Sequence, residues 1–350
     1  MSSAVAGTPL IRRLLDELSA RGAVEFHPLT AHSVEPPASE ANAFELVVRR
    51  PNTDRFVETV QRLGFKEAGA ATARKRPGGV RYFAYDPRAD GFVQLRVRFE
   101  PEPGVDGSEE RKRRCDRRKA AARVRTSGGL LIALVGADGA GKSSALDALS
   151  GWLSPHFRVA RIHMGKPRWS WITVPIKATL KVLRGLGLSR GWGSTEGTAA
   201  DGVPVGLGPL LWHVTTARDR CRAYRRARRL VERGALVLCD RFPLHELASM
   251  DGPRAGSLPG ASRSRLTRLL TRLEERYYAA IGRPDLLLVL RVRPEVALGR
   301  RPEDPAVRVR QRAQEILEVD WSSAGAHVVN ADRPMAVLHR ELKSWIWTQI

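Results

Sequence analysis

Cysteine is scarce in this chain of 350 residues: there are three, Cys115, Cys221 and Cys239. They show neither metal-ligand spacing nor an even-numbered pairing pattern, which excludes a zinc module and a disulfide scaffold and fits a reducing cytoplasm. Long apolar runs are also missing. No stretch approaches the ~20 residues a helix needs to cross a bilayer. The first twenty residues lack an apolar core of the signal-peptide kind, and Leu10 to Arg21 reads instead as an amphipathic helix. A cytoplasmic protein is expected, soluble or at most peripheral to a membrane. Acidic residues are few beside basic ones, 37 against 59, which leaves a formal charge of +22. Such an excess favours anionic partners: nucleotides, nucleic acid or acidic lipid. It is suggestive only, because many arginines of an arginine-rich chain sit on solvated helix faces.

What is present is one dense stretch. Leu130 to Val135 is six consecutive apolar residues, the pattern of a strand covered on both faces. Gly136-Ala137-Asp138-Gly139-Ala140-Gly141-Lys142-Ser143 follows at once and fits G-x-x-x-x-G-K-[ST] without a mismatch. Glycines at 136, 139 and 141 let the backbone turn its N–H groups inward around a phosphate. A helix starting near Lys142 adds the positive end of its dipole. In such a loop Lys142 reaches the β- and γ-phosphates and the Ser143 hydroxyl ligates Mg²⁺.

From Gly129 onward, strands alternate with helices. The loop helix, Lys142 to Leu153, precedes a strand at Val159 to Met164. A long helix from Thr215 to Arg233 precedes the apolar run Leu236 to Cys239, and further strands follow at Leu286 to Val292 and His327 to Ala331 before a closing helix, Pro334 to Ile350. The expected fold class is α/β, a doubly wound parallel sheet of five strands with its ligand crevice at the strands' C-terminal ends. Asp240 and Arg241 emerge at that edge directly after a strand. An acid there can hold Mg²⁺ or its waters, and an arginine can clamp a phosphate bidentately.

A length of 350 residues predicts more than one domain. Residues 1 to 105 read as a small α+β accessory domain: the helix from Leu10, a strand at Phe44 to Val48, a helix at Thr53 to Leu63 ended by Gly64, and strands near Val80 to Tyr85 and Phe92 to Phe99. This order weakly resembles the nucleotidyltransferase fold. The positions where that family carries metal-binding acids correspond to Ala43, Glu45 and Gln94, so the resemblance implies a catalytically dead domain, and an unrelated accessory domain remains an equal reading. Residues 106 to 128 form a basic linker, in which Arg111 to Arg125 holds nine basic residues and one acid, Asp116. No aromatic residues are interleaved for base stacking, so a solvated linker is preferred to a nucleic-acid contact.

The glycine loop and Asp240-Arg241-Phe242 together resemble the thymidylate kinase family. Gly136 to Ser144 matches its loop G-x-D-G-x-G-K-[ST]-[ST], Asp240-Arg241-Phe242 its D-R-[YF], and Pro284-Asp285-Leu286 through Arg300 is close to a further segment of the family. The resemblance spans about Gly129 to Ile350. It implies phosphoryl transfer from ATP with Mg²⁺, with Gly136, Ala137, Asp138, Gly139, Ala140, Gly141, Lys142, Ser143 and Ser144 holding the nucleotide. Ser143 and Asp240 would serve the metal, Asp138 would approach the acceptor, and Arg241 would bind the acceptor's phosphate. Arg300 and Arg301, then Arg308, Arg310 and Arg312, occupy a lid-like segment. The resemblance assigns Arg301 and Arg308 to the transferring group, and places Asn330-Ala331-Asp332 near the adenine.

The acceptor side departs from the family: the usual R-E-P-G-G-type turn is replaced by His163-Met164-Gly165-Lys166-Pro167, which makes dTMP doubtful as a substrate. Residues 167 to 209 form an insertion carrying Trp169 and Trp171, apolar residues and lysines. A packed lid or helical hairpin is preferred there, because Gly185, Gly187, Gly191 and Gly193 interrupt any long helix, with a lipid-bearing acceptor or membrane surface as the other reading. The expected ligands are ATP, Mg²⁺ and a small-molecule acceptor. A homodimer and peripheral membrane contact are allowed, and nucleic acid is not expected. Two other classes stay open: a regulatory ATP-binding protein without turnover, and a nucleic-acid-stimulated NTPase.

Overall fold

The computed structural model describes residues 9–20, 43–49, 53–67, 80–100, 129–171, 173–185, 207–247, 252–257 and 264–350. The linker with Arg111 to Arg125 and Cys115, and the middle of the 167–209 insertion, lie outside them. Contacts divide the chain into two compact units, Met1–Ser127 with Lys343–Ile350, and Gly128–Leu342.

In the first unit, helix α1 (Pro9–Ala20), strand β1 (Ala43–Arg49), helix α2 (Thr53–Arg62) and strands β2 (Lys66–Glu67), β3 (Val80–Asp86) and β4 (Gly91–Glu100) form a four-stranded sheet of order β1-β4-β3-β2. β1 runs parallel to β4 and the other pairs are antiparallel. Alternation along β4 sends Val93, Leu95 and Val97 inward, where they meet Phe56 and Val60 of α2 and Ile11, Leu14 and Leu18 of α1. Gly64 at φ +81 ends α2, as a left-handed C-terminal residue should.

The second unit is a mixed α/β body around five strands that all run parallel: β5 (Leu131–Gly136), β6 (Val159–His163), β7 (Leu236–Asp240), β8 (Leu286–Arg291) and β9 (His327–Asn330), in the order β6-β7-β5-β8-β9. The three inner strands are almost wholly buried, which is why they appear in the sequence as unbroken apolar runs. β5 is the centre. From it the chain moves out to β6, returns through β7, then crosses to β8 on the other side, and this reversal leaves a crevice at the C-terminal ends of β5 and β7.

The helices are α3 (Lys142–Leu153), α4 (Thr173–Gly185), α5 (Leu207–Glu232), α6 (Arg265–Ala279), α7 (Pro294–Arg300), α8 (Ala306–Glu318) and α9 (Met335–Gln349), with a 3₁₀ turn at Ala255–Ser257. α6 was not expected from sequence, and α5 starts earlier than expected. α5 begins eight residues before Thr215, inside the insertion: Gly208 and Pro209 look like breakers, but they fall in its first turn, where a proline's missing N–H costs nothing. α4 forms ahead of the glycines from 185 onward, inside the same segment. Among the described residues no helix is long and apolar enough to cross a membrane.

Candidate active site

The glycine-rich turn leaves β5 at Gly136 and enters α3 at Lys142, as the apolar run and the helix pattern require. Gly139 has φ +82 and Gly141, the residue capping α3, φ +86, conformations costly for any residue with a Cβ. Space is equally restrictive, since a Cβ on Gly139 would lie 2.6 Å from the Ala297 carbonyl oxygen and one on Gly136 would lie 2.8 Å from that of Leu290. β8 and α7 therefore press against the turn from behind. Ala137 and Ala140 are fully buried and serve as its packing floor.

Lys142 is buried at 8% exposure, with Nζ donating to the carbonyl oxygens of Gly136 at 2.8 Å and Ala137 at 2.7 Å. Its pKa is lowered to about 8, chiefly by desolvation, with Arg241 and Arg312 acting the same way and Asp138 and Asp240 opposing. Asp138 sits between two guanidinium groups. Its Oδ1 accepts from Arg241 Nη2 at 3.1 Å and its Oδ2 from Arg312 Nη1 at 2.6 Å. Burial raises its pKa, but Lys142, Arg312 and Arg241 outweigh that and hold it below the usual carboxylate value.

Asp240 and Arg241 end β7 on the same edge. Arg241 takes φ +53, a left-handed conformation unusual for a non-glycine residue and of the sort that gathers at functional sites. Gly165 makes the room, for a Cβ there would meet Arg241 Cδ at 2.7 Å. Asp240 Oδ2 lies 3.8 Å from His163 Nε2, while its Oδ1 is buried with no hydrogen-bond partner among the described residues. A buried carboxylate oxygen without a donor calls for a cation or water. Oxygen donors from Ser143 and Asp240 suit a hard divalent ion such as Mg²⁺. Among the described residues no group of three or more His, Cys, Asp or Glu forms a metal site, so such an ion would draw its remaining ligands from phosphate and water.

A cavity of about 470 Å³ opens between these elements. Asp138, Lys142, Ser143, Ser144, Asp240 and Arg241 line it, and so does Arg301. Arg308 is absent from the lining and lies 3.6 Å from Asp304, one turn back on its own segment. Arg300 holds the frame, donating to the carbonyl oxygens of Ala331 at 2.9 Å and Gly139 at 3.3 Å. Asp332, expected beside an adenine, accepts from Arg293 through both its backbone N–H and its side chain.

Four contributors were not singled out from sequence. Arg312 was one of several lid arginines; its spacing from Val309, Ala313 and Ile316, all buried on the same side of α8, is the signal that it turns inward. His163 appeared only as part of a divergent turn. Met335 and His339 reach the cavity from α9, and no local pattern marks them.

A parallel sheet with a glycine-rich turn after its first strand is compatible with a fold of the P-loop NTPase class. No protein-family model matches the chain. Known proteins resemble it distantly: it is 28% identical over 186 residues to the thymidylate kinase of Symbiobacterium thermophilum, covering 53% of this chain and 73% of that protein. It is 25% identical over 213 residues to YghR of Escherichia coli K12, described as an uncharacterized ATP-binding protein, covering 58% of this chain and 80% of that one.

Proposed function

We propose that the second unit is a P-loop kinase domain, thymidylate kinase-like, that binds ATP and passes its γ-phosphoryl group to a small acceptor bearing a phosphate or hydroxyl. The carrying observation is the convergence of Lys142, Asp138, Arg241 and Asp240, with its orphaned oxygen, on one cavity at the C-terminal edge of the sheet, Asp138 being held in turn by Arg312. The distant similarity to a thymidylate kinase and an ATP-binding protein supports the same reading. So does the strand order: with the right-handed crossovers that parallel strands follow, connections leaving β5 in opposite directions would put helices on both faces, as in a doubly wound sheet.

In this reading the loop amides from Gly139 to Ser144 and the N-terminus of α3 bind the phosphates, and Lys142 exchanges its two carbonyl partners for phosphate oxygens. Ser143 and Asp240 hold Mg²⁺, which when bound neutralises charge on the nucleotide. Arg241 and Arg301 neutralise charge on acceptor and transferring group, and Asp138 fixes Arg241 and Arg312 so that they need not reorganise during transfer. Asp138 is also within reach of an acceptor hydroxyl. Positioning and charge, with no covalent intermediate, supply the rate. Residues 1 to 105 serve as an accessory domain, degenerate in its metal acids, joined through the basic linker 106–128. The turn His163 to Pro167 directs the acceptor choice away from dTMP.

The test is ADP formation by purified protein with Mg²⁺ against nucleoside monophosphates, phosphorylated sugars and lipid phosphates, with Lys142→Ala as the blank. Turnover that needs one acceptor and vanishes in the variant is expected. ATP binding without turnover on any acceptor would replace the kinase with a regulatory nucleotide-binding protein.

A further inference from the structure

Helix α6 presents three different faces. Thr267, Glu274 and Tyr278 are buried: Glu274 accepts from the backbone N–H groups of Arg254 and Ala255, and Tyr278 receives Arg220 Nη1 at 2.6 Å. A second face carries Arg265, Arg268, Arg272 and Arg276 at steps of three and four residues, which aligns them along the helix. All four are exposed, and among the described residues none pairs through its side chain with an acid. Between these faces lie Leu266, 50% exposed, and Leu269, 62% exposed, with half-buried Leu273 below them.

We infer that this face of α6 docks onto an anionic lipid surface. Arginines beside exposed leucines on one helix are the two halves of an interfacial amphipathic helix: guanidinium groups at acidic headgroups, leucines at the acyl boundary. A second copy of the chain is disfavoured, because a two-fold contact through this face would set one unpaired arginine row against another. Nucleic acid would satisfy the arginines but leave the leucines against a phosphate backbone with nothing to bury them. The net charge of +22 acts in the same direction. Neither nucleotide nor turnover is needed for this contact, so it stands or falls separately from the kinase reading.

The experiment is co-sedimentation of the full chain with vesicles of phosphatidylcholine alone or in equal mixture with phosphatidylglycerol. Binding to the mixed vesicles at 0.1 M salt and its loss at 1 M are expected, as screening shortens from about 10 to 3 Å. Arg268→Ala and Arg272→Ala should each lower the partition coefficient about fivefold, the factor equivalent to ~1 kcal/mol per basic residue at an acidic surface. Leu269→Asn should weaken it at unchanged charge, and circular dichroism of each variant should match the parent. Equal binding to neutral vesicles, or no effect of any of the three substitutions, would overturn the inference. So would binding to duplex DNA, or self-association in sedimentation velocity, that the same substitutions abolish.

Discussion

Under the kinase reading Lys142 binds the nucleotide, and with its pKa lowered to about 8 the affinity for ATP should depend on pH. At pH 7 about nine-tenths of the chains carry a charged Lys142, and at pH 9 about one-tenth. Phosphate ionisation is complete by pH 7.5, since the second pKa of a phosphoryl group is about 6. Above pH 8 the dissociation constant for ATP should therefore rise toward tenfold per pH unit, and binding should take up a proton. A charged hydrogen bond to phosphate is worth ~1.5–3 kcal/mol, so Lys142→Met should bind roughly ten- to hundredfold more weakly at pH 7 and show no such slope. Titration calorimetry between pH 7.5 and 9.5, in two buffers of different ionisation enthalpy, measures both affinity and proton uptake. The free protein provides a second reading. Because the folded pKa lies below the ordinary 10.4, the unfolded chain holds the extra proton between the two values, and stability rises with pH across that window. The Lys142 part is at most ~3 kcal/mol, taken as the difference from Lys142→Met. An ATP dissociation constant flat to pH 9.5, or an equal slope in Lys142→Met, would refute the reasoning.

Asp138→Asn leaves Arg241 and the almost buried Arg312 without their shared anion. It should destabilise the second unit by about 3–5 kcal/mol, read as a lower midpoint in denaturant. Because Asp138 titrates below the ordinary carboxylate value, its contribution is complete above about pH 4 and should fade only as acid protonates it, so the parent and variant curves should converge below that pH. Gly139→Ala, with backbone 2.6 Å from the new methyl group, should abolish ATP binding, whereas Gly234→Ala, at φ +76 with nothing within 4 Å, should cost only ~1–2 kcal/mol in melting experiments and leave binding intact. Arg301→Ala should reduce turnover by about 10³ under the kinase reading, and Arg308→Ala, whose side chain lies near Asp304 outside the cavity, by less than tenfold in the same ADP assay.

The three inner parallel strands were readable because burial on both faces turns a strand into an apolar run, as in Leu131 to Val135 and Leu286 to Leu290. The turn at Gly139 and Gly141 was readable because its backbone needs glycine. α6 was not. Its inward face is Thr267, Glu274 and Tyr278 while Leu266 and Leu269 point outward, so the usual equation of apolar with buried fails along it. The role of Arg312 was hidden for a different reason. Its spacing from the buried Val309, Ala313 and Ile316 marks Arg312 as inward-facing among the lid arginines, but nothing local names its partner, Asp138, 174 residues away.

The central place of β5 fixes the order in which the molecule can assemble. Leu131 N donates to Asp285 Oδ2 across 154 residues of chain, and the Leu290 and Ala297 carbonyls that confine the glycine turn lie still further on. At about 5–20 residues per second, a ribosome releases β8 roughly 8–30 seconds after β5. Until then β5 has at most β7 for a neighbour and one long edge open, the exposure that holdase chaperones shield in slow parallel sheets. The turn gains its back wall only when β8 and α7 arrive, so nascent chains interrupted before residue 297 would carry the complete glycine sequence without the shape it takes in the finished protein.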